Sequence, residues 1–226
     1  MDTPKPCILV FDLDDTLYKE IDFLKSAYLE IACYLNEYTS NTVTELYEFL
    51  LNAYQSGLNA FETILKTYNI HQVSTMDLIK KYRQHQPNIQ LSKTTQNVLY
   101  EIKTKVFRVG LITDGRSVQQ RHKIEALGLT QYFNDIIISE EFGSEKPNPR
   151  NFLYFETAYG SMNHFIYVAD NTKKDFIAPN ALGWTTICLQ DDGQNIHPQT
   201  TESTTHAPHM TISDLSELTT IIKKLI

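Results

Sequence analysis

Asp12, Asp14 and Asp15 stand immediately after an apolar run, Ile8-Leu-Val-Phe11, and they are the residues whose spacing first suggests chemistry. If the backbone stays extended past Phe11, side chains two apart share a face, so Asp12 and Asp14 point the same way. Carboxylates held together at a strand's C-terminal end repel unless a cation or proton relieves them. In open α/β sheets that edge is also where ligands bind. The same residues suit an acidic turn in which Asp15 or Thr16 caps a following helix, and the rest of the chain decides between the two.

Further polar groups follow apolar runs in the same way. Thr113 ends Phe107-Arg-Val-Gly-Leu-Ile112, Lys146 comes after Phe142-Gly-Ser-Glu145, and Asp170 follows Phe165–Ala169, with Asp175 close behind. Parallel strands of one sheet bring such ends to one edge. The set then holds the carboxylates of Asp12, Asp14, Asp170 and Asp175, the Thr113 hydroxyl beside free turn amides, and the Lys146 ammonium. It suits a doubly charged phosphate ester and a divalent cation.

The elements that must position these groups fall into two kinds. Apolar residues at three- and four-residue steps predict helices over Ile21–Tyr38, Thr44–Tyr54, Asn59–Tyr68 and Met76–His85, with Phe23, Leu24, Ala27, Leu29, Ile31 and Cys33 on a broad buried face of the first. Asn41 or Thr42 is a candidate cap, and Pro87 stops the last helix. Beyond Pro87 a helix at Lys93–Lys103 gives way to alternation. Strands are expected at Phe107–Ile112, Asp135–Ile138, Phe165–Ala169, Thr185–Leu189 and His209–Ile212. Helices are expected at Val118–Leu127, Arg150–Tyr159, Asp175–Leu182 and Leu215–Leu225. Strand–helix alternation implies a parallel sheet with crossover helices. The predicted fold is therefore α/β, a Rossmann-like parallel sheet with helices on both faces. Residues 1–18 and 89–226 form the core, and an all-helical segment, 19–88, is inserted into it. Gln190–His209 reads as a long exposed loop, and the spacing of His197, His206 and His209 within it fits solvated residues better than a zinc site.

A chain of 226 residues with 42% hydrophobic and 21% charged residues is ordinary for a globular protein, and a net charge of -7 argues against a nucleic-acid partner. Cys7, Cys33 and Cys188 are sparse, odd in number and in mostly apolar surroundings, which suggests buried reduced thiols and a cytoplasmic home. There is no signal-peptide-like stretch and no run long enough to span a bilayer, so no membrane partner is expected. Oligomeric state is not specified.

With these residues in view, Asp12-Leu-Asp-Asp-Thr16 resembles the first motif of the haloacid dehalogenase-like hydrolase superfamily. Thr113 resembles its second, Lys146-Pro-Asn-Pro its third, and Asp170-Asn-Thr-Lys-Lys-Asp175 its fourth, in the correct order and spacing. The helical insert is similar to the cap of the branch whose lid lies between the first two motifs. The chain departs from the pattern at Ala169, where Gly is usual.

The resemblance implies a magnesium-dependent phosphomonoester hydrolase acting on a small metabolite such as a sugar phosphate or nucleoside monophosphate. In that reading Asp12 is the nucleophile and forms an aspartyl-phosphate. Asp14 is general acid and then base, a role that asks for a pKa raised relative to Asp12. Magnesium is held by the Asp12 carboxylate, the Asp14 backbone carbonyl and Asp170, with Asp175 supporting the ion through water or orienting Lys146. Thr113 and the amides of Asp114 and Gly115 bind phosphate oxygens, and Lys146 offsets the charge of nucleophile and phosphate. Arg116 reads as a surface ion pair. Lys19, Glu20 and Asp22 lie where a hinge or gate belongs, while Tyr28, Tyr34, Tyr54 and Phe61 read as the apolar interior of a lid that excludes water and selects substrate. The alternatives are haloacid dehalogenation, which Asp14 with Asp170 speaks against, a phosphomutase, and a phosphate-binding protein without turnover, which the filled catalytic positions speak against.

Overall fold

A computed structural model describes residues 6–200 and 203–225 of the chain. Its elements run β1 (Cys7–Phe11), α1 (Glu20–Leu35), α2 (Val43–Gln55), α3 (Ala60–Thr67), α4 (Thr75–Gln84), α5 (Lys93–Lys105), β2 (Arg108–Thr113), α6 (Ser117–Ala126), β3 (Asp135–Ile138), the short α7 (Ser139–Phe142), α8 (Arg150–Tyr159), β4 (His164–Ala169), α9 (Ile177–Ala181), β5 (Thr185–Leu189), β6 (Met210–Ile212) and α10 (Glu217–Leu225). The expected core segments 1–18 and 89–226 include residues 1–5, 201–202 and 226, which lie outside the described residues.

The strands form a six-stranded sheet in the order β3-β2-β1-β4-β5-β6, every neighbouring pair parallel. β1 is fully buried because both faces are covered. Its alternation sends Leu9 and Phe11 into one layer, with Leu99 and Ile102 of α5, Ile124 of α6 and Leu218 and Ile222 of α10. Ile8 and Val10 enter the opposite layer, with Phe152 and Phe155 of α8, Ala178 of α9 and Trp184. Gly110 in β2 is required by this second layer: a Cβ there would sit 2.2 Å from Cε1 of Phe155.

Between β1 and α5, helices α1–α4 enclose an apolar cluster of their own, including Leu24, Tyr28, Ile31, Leu46, Leu50 and Ile64. Tyr34, Tyr54 and Phe61 pack around it, and the Tyr28 ring makes edge contacts with Tyr54 and Phe61. Local capping sets the boundaries: Thr42–Glu45 and Ser74–Asp77 are reciprocal capping boxes, and Asn59 caps α3. α1 also faces the core, since Phe23 and Ala27 belong to the layer around Leu9.

Some expectations need correction. Cys33 is exposed, whereas Cys7 and Cys188 are buried. Leu29, four positions before Cys33, is exposed too, because this stripe of α1 faces away from both apolar clusters. The helix expected from Asp175 begins only at Ile177. The loop after β5 is not wholly free: Asn195, the Ile196 amide and Gln199 dock on the site described below. His209, expected as a solvated residue, is exposed but engages the Thr186 amide and hydroxyl through Nδ1. Among the described residues no helix is long and apolar enough to cross a membrane.

Candidate active site

β1 pairs with β2 on one side and β4 on the other, so the chain's crossovers leave it in opposite directions and a crevice opens at the ends of β1 and β4. Asp12 prolongs the ladder through its N–H, which donates to the Val168 carbonyl at 2.9 Å. Its side chain is thereby fixed at the edge of the sheet, almost wholly buried. Lys146 Nζ lies 2.6 Å from Asp12 Oδ1 and 2.8 Å from Asp175 Oδ1, and donates to the Tyr167 hydroxyl at 3.2 Å. Asp175 Oδ2 accepts the Asn171 N–H, while its Oδ1 meets Lys146 as an ion pair without a directed hydrogen bond. Asp175 therefore both ties down its own loop and orients Lys146. It does not cap the following helix.

Asp170, at the end of β4, accepts from Thr16 Oγ1 at 3.2 Å through Oδ1 and from Asn195 Nδ2 at 3.1 Å through Oδ2. Gln199 Nε2 donates to the Asp170 carbonyl. Ala169, where the motif usually has Gly, needs no left-handed backbone, since among the described non-glycine residues only Asp15 and Asn69 have positive φ. Asp15, at φ 55, accepts the Glu20 and Ile196 amides with its carboxylate. Lys19 Nζ reaches Asn195 Oδ1 and Asp192 Oδ1, both at 2.8 Å.

Asp14 lines the same crevice as Asp12 but has partners of its own. Its Oδ1 receives Tyr18 Oη at 2.6 Å and Lys123 Nζ at 2.8 Å, and its Oδ2 receives Gln120 Nε2 at 2.9 Å. Burial alone would raise the Asp14 carboxyl. The Lys123 ammonium and the hydrogen bonds from Lys123, Tyr18 and Gln120 outweigh it and hold the group below its ordinary value. A second buried lysine, unforeseen in the sequence, thus faces Asp14 and favours its carboxylate form.

Thr113 Oγ1 accepts from Gln120 Nε2, which leaves its hydroxyl hydrogen free to donate into the crevice. The Gly115 amide, expected to meet phosphate, instead donates to Ser139 Oγ at 2.9 Å. Asp114 holds the neighbouring backbone together, its Oδ1 accepting the Lys146 N–H and its Oδ2 pairing with Lys174 at 2.7 Å. Arg116 makes an exposed ion pair with Glu140. His197, expected in solvent, is exposed but lines the crevice with Asp12, Thr113 and Asp170.

Asp12, Asp170 and Asp175, all buried, each bring a carboxylate oxygen within 4.8 Å of the other two. Burial pushes Asp12 up to about 7, with Lys146 opposing and Asp175 adding to the rise. Burial, then Asp12 and Asp175, push Asp170 up to about 9. Three acids facing one ammonium are under-neutralised, and their donors are all hard oxygens. The set fits a small divalent cation.

An acid cluster with a buried lysine at the switch point of a parallel sheet lies where open α/β folds bind their ligands. The chain belongs to the haloacid dehalogenase-like hydrolase family, which matches it over residues 9–189. It is 29% identical to a glyceraldehyde 3-phosphate phosphatase of Methanocaldococcus jannaschii, across 96% of this chain and 97% of that one. It is 32% identical to the pyrimidine 5'-nucleotidase YjjG of Escherichia coli, but over only 52% of this chain and 50% of that protein. Among solved structures, the magnesium-bound HAD-hydrolase YfnB of Bacillus subtilis superposes with a TM-score of 0.68 at 21% identity, covering 96% of this chain and 99% of its own. The L-2-haloacid dehalogenase PA0810 does so with a TM-score of 0.64 at 15% identity, covering 97% of this chain and 99% of its own.

Proposed function

We propose that the chain is a magnesium-dependent phosphatase of small phosphorylated metabolites, working through an aspartyl-phosphate. The observation that carries this reading is the convergence of the Asp12, Asp170 and Asp175 carboxylates within 4.8 Å of one another, two of them paired with Lys146. Asp12 and Asp170, with the Asp14 backbone carbonyl, would hold Mg2+, and Asp175 would support it. The ion would supply positive charge for the phosphate oxygens.

An Asp12 carboxylate oxygen attacks phosphorus, the bond to the ester oxygen breaks, and the departing alcohol takes a proton from Asp14. Water then attacks the phosphorus, its proton passes to Asp14, and the acyl-phosphate bond breaks to release inorganic phosphate. Asp14 takes up from solvent, as substrate binds, the proton that it delivers. The incoming phosphate dianion is a like charge and raises its proton affinity, as the first step requires. Lys146 neutralises charge on nucleophile and phosphate, and the Thr113 hydroxyl donates to a phosphate oxygen. Residues 19–88 act as the lid, with Lys19, Glu20 and Asp22 at its root.

The crevice measures about 130 Å³, well below the roughly 300–1,000 Å³ of a typical small-molecule pocket. That room suits a phosphate carrying a few carbons better than a nucleotide. A three-carbon sugar phosphate is therefore the favoured substrate class, in keeping with the name, glyceraldehyde 3-phosphate phosphatase, of a relative that matches nearly end to end. The test is phosphate release with magnesium from triose phosphates, larger sugar phosphates and nucleoside monophosphates. The triose phosphates should lead, and Asp12→Asn should lose at least about 10⁴-fold in kcat. Release that persists in Asp12→Asn, or none from any ester by the unaltered chain, overturns the proposal.

A further inference from the structure

Lys123 belongs to none of the strand-end motifs, yet its side chain is only 1% exposed and ends in the site. Its Nζ lies 2.8 Å from Asp14 Oδ1, 3.4 Å from Glu20 Oε1 and 4.7 Å from the centroid of the Phe23 ring. Asp14 sits on the catalytic turn of the core, whereas Glu20 and Phe23 open α1, the first helix of the inserted unit. Gln120, one turn earlier on α6, is equally buried and holds Asp14 Oδ2 together with Thr113 Oγ1. One face of α6 thus grips both oxygens of Asp14 and fixes the plane of its carboxylate. A buried ammonium is costly to keep, and a lysine enclosed this fully is retained only with close partners. Here the partners come from both sides of the junction between core and lid.

We propose that Lys123 is a positioning residue for Asp14, its ammonium tying the aim of that carboxyl group to the seating of α1 through Glu20. This role rests on the phosphatase reading, in which Asp14 delivers a proton to the leaving oxygen. A misaimed acid matters most where the leaving group is a strong base. An alkoxide needs the proton as the bond breaks, whereas 4-nitrophenolate leaves without one. Lys123 therefore governs the dependence of the first chemical step on the leaving group, and affects substrate capture little.

The experiment measures kcat/KM, which reports the steps up to aspartyl-phosphate formation, for an alkyl phosphate and for 4-nitrophenyl phosphate. Lys123→Met should lower it by about 10²-fold or more for the alkyl ester, in the range of a lost general acid. For the nitrophenyl ester the loss should stay below about tenfold, with KM for either ester moving less than about threefold. In an Asp14→Asn background, removing Lys123 should cost almost nothing further, because residues that act as a unit are not additive. If the methionine variant folds poorly, Lys123→Ala assayed with propylammonium should recover the alkyl-ester rate by about tenfold, a cation refilling the vacated space. Equal losses for both esters, full additivity with Asp14→Asn, or no recovery with propylammonium overturns the role of Lys123 and leaves the phosphatase reading standing. Failure of the unaltered chain to hydrolyse either ester overturns both.

Discussion

Asn195 Nδ2 donates to Asp170 Oδ2 at 3.1 Å, so a side chain from the loop after β5 steadies an acid at the end of β4. The same amide accepts from Lys19, just before α1. A ligand's hydrogen-bond partner typically changes metal affinity by about 10- to 100-fold. Asn195→Ala should therefore raise the magnesium concentration needed for half-maximal activity about tenfold, with thermal stability altered by less than about 1 kcal/mol. An unchanged magnesium requirement would show that the loop merely rests against Asp170.

Magnesium should also stabilise the fold directly, because it relieves three clustered buried acids of which two share one ammonium. At 100 times its dissociation constant a ligand of the native state adds about 2.7 kcal/mol. For a chain of this size that corresponds to a rise in Tm of roughly 5–10 °C. Scanning calorimetry with and without chelator checks this, and the rise should vanish in Asp170→Asn. A Tm indifferent to magnesium would remove the cation from this cluster.

Gly110→Ala should destabilise the chain by about 1–3 kcal/mol, since overpacking forces neighbours to shift and the added methyl would collide with the Phe155 ring. Urea denaturation measures the loss. Pairing the change with Phe155→Leu, which shortens the side chain that is struck, should make the combined cost smaller than the sum of the single costs. Strict additivity would mean that the contact is not what excludes a side chain at this position.

The cysteines should separate sharply in reactivity. Burial pushes the Cys7 and Cys188 thiols up to about 12, while Cys33 is exposed. The thiolate is the reactive form, so at pH 8 only about one buried thiol in 10⁴ is ionised. Ellman's reagent should therefore find one fast thiol per native chain, and all three only after denaturation. Three fast thiols in the folded protein would contradict the packing of β1 and β5.

Much of the site was legible because it is written at strand ends. Asp12, Thr113 and Asp170 each close an apolar strand, and parallel pairing alone gathers such ends, whereas Lys146 arrives on the loop after α7. Lys123 and Gln120 escaped notice because polar residues on a helix are ordinarily taken for its wet side. The signal was available: Gln120, Lys123, Ile124 and Leu127 fall at the steps of one stripe, and Ile124 and Leu127 mark that stripe as inward. The docking of Asn195 and Gln199 could not be read in the same way. Their partner, Asp170, is remote in sequence, and the composition of a polar loop carries no record of what it touches.

The threading of β1 has a consequence for synthesis. One of its edges is covered once Arg108–Thr113 exists, but the other waits for His164–Ala169. The inserted helices wait for neither, because their apolar cluster is complete by Tyr82. On the ribosome the inserted helices can therefore pack ahead of the sheet that flanks them, leaving β1 for that interval with an edge of unpaired N–H and C=O groups open to strangers. That interval is when a chaperone would matter most to this chain.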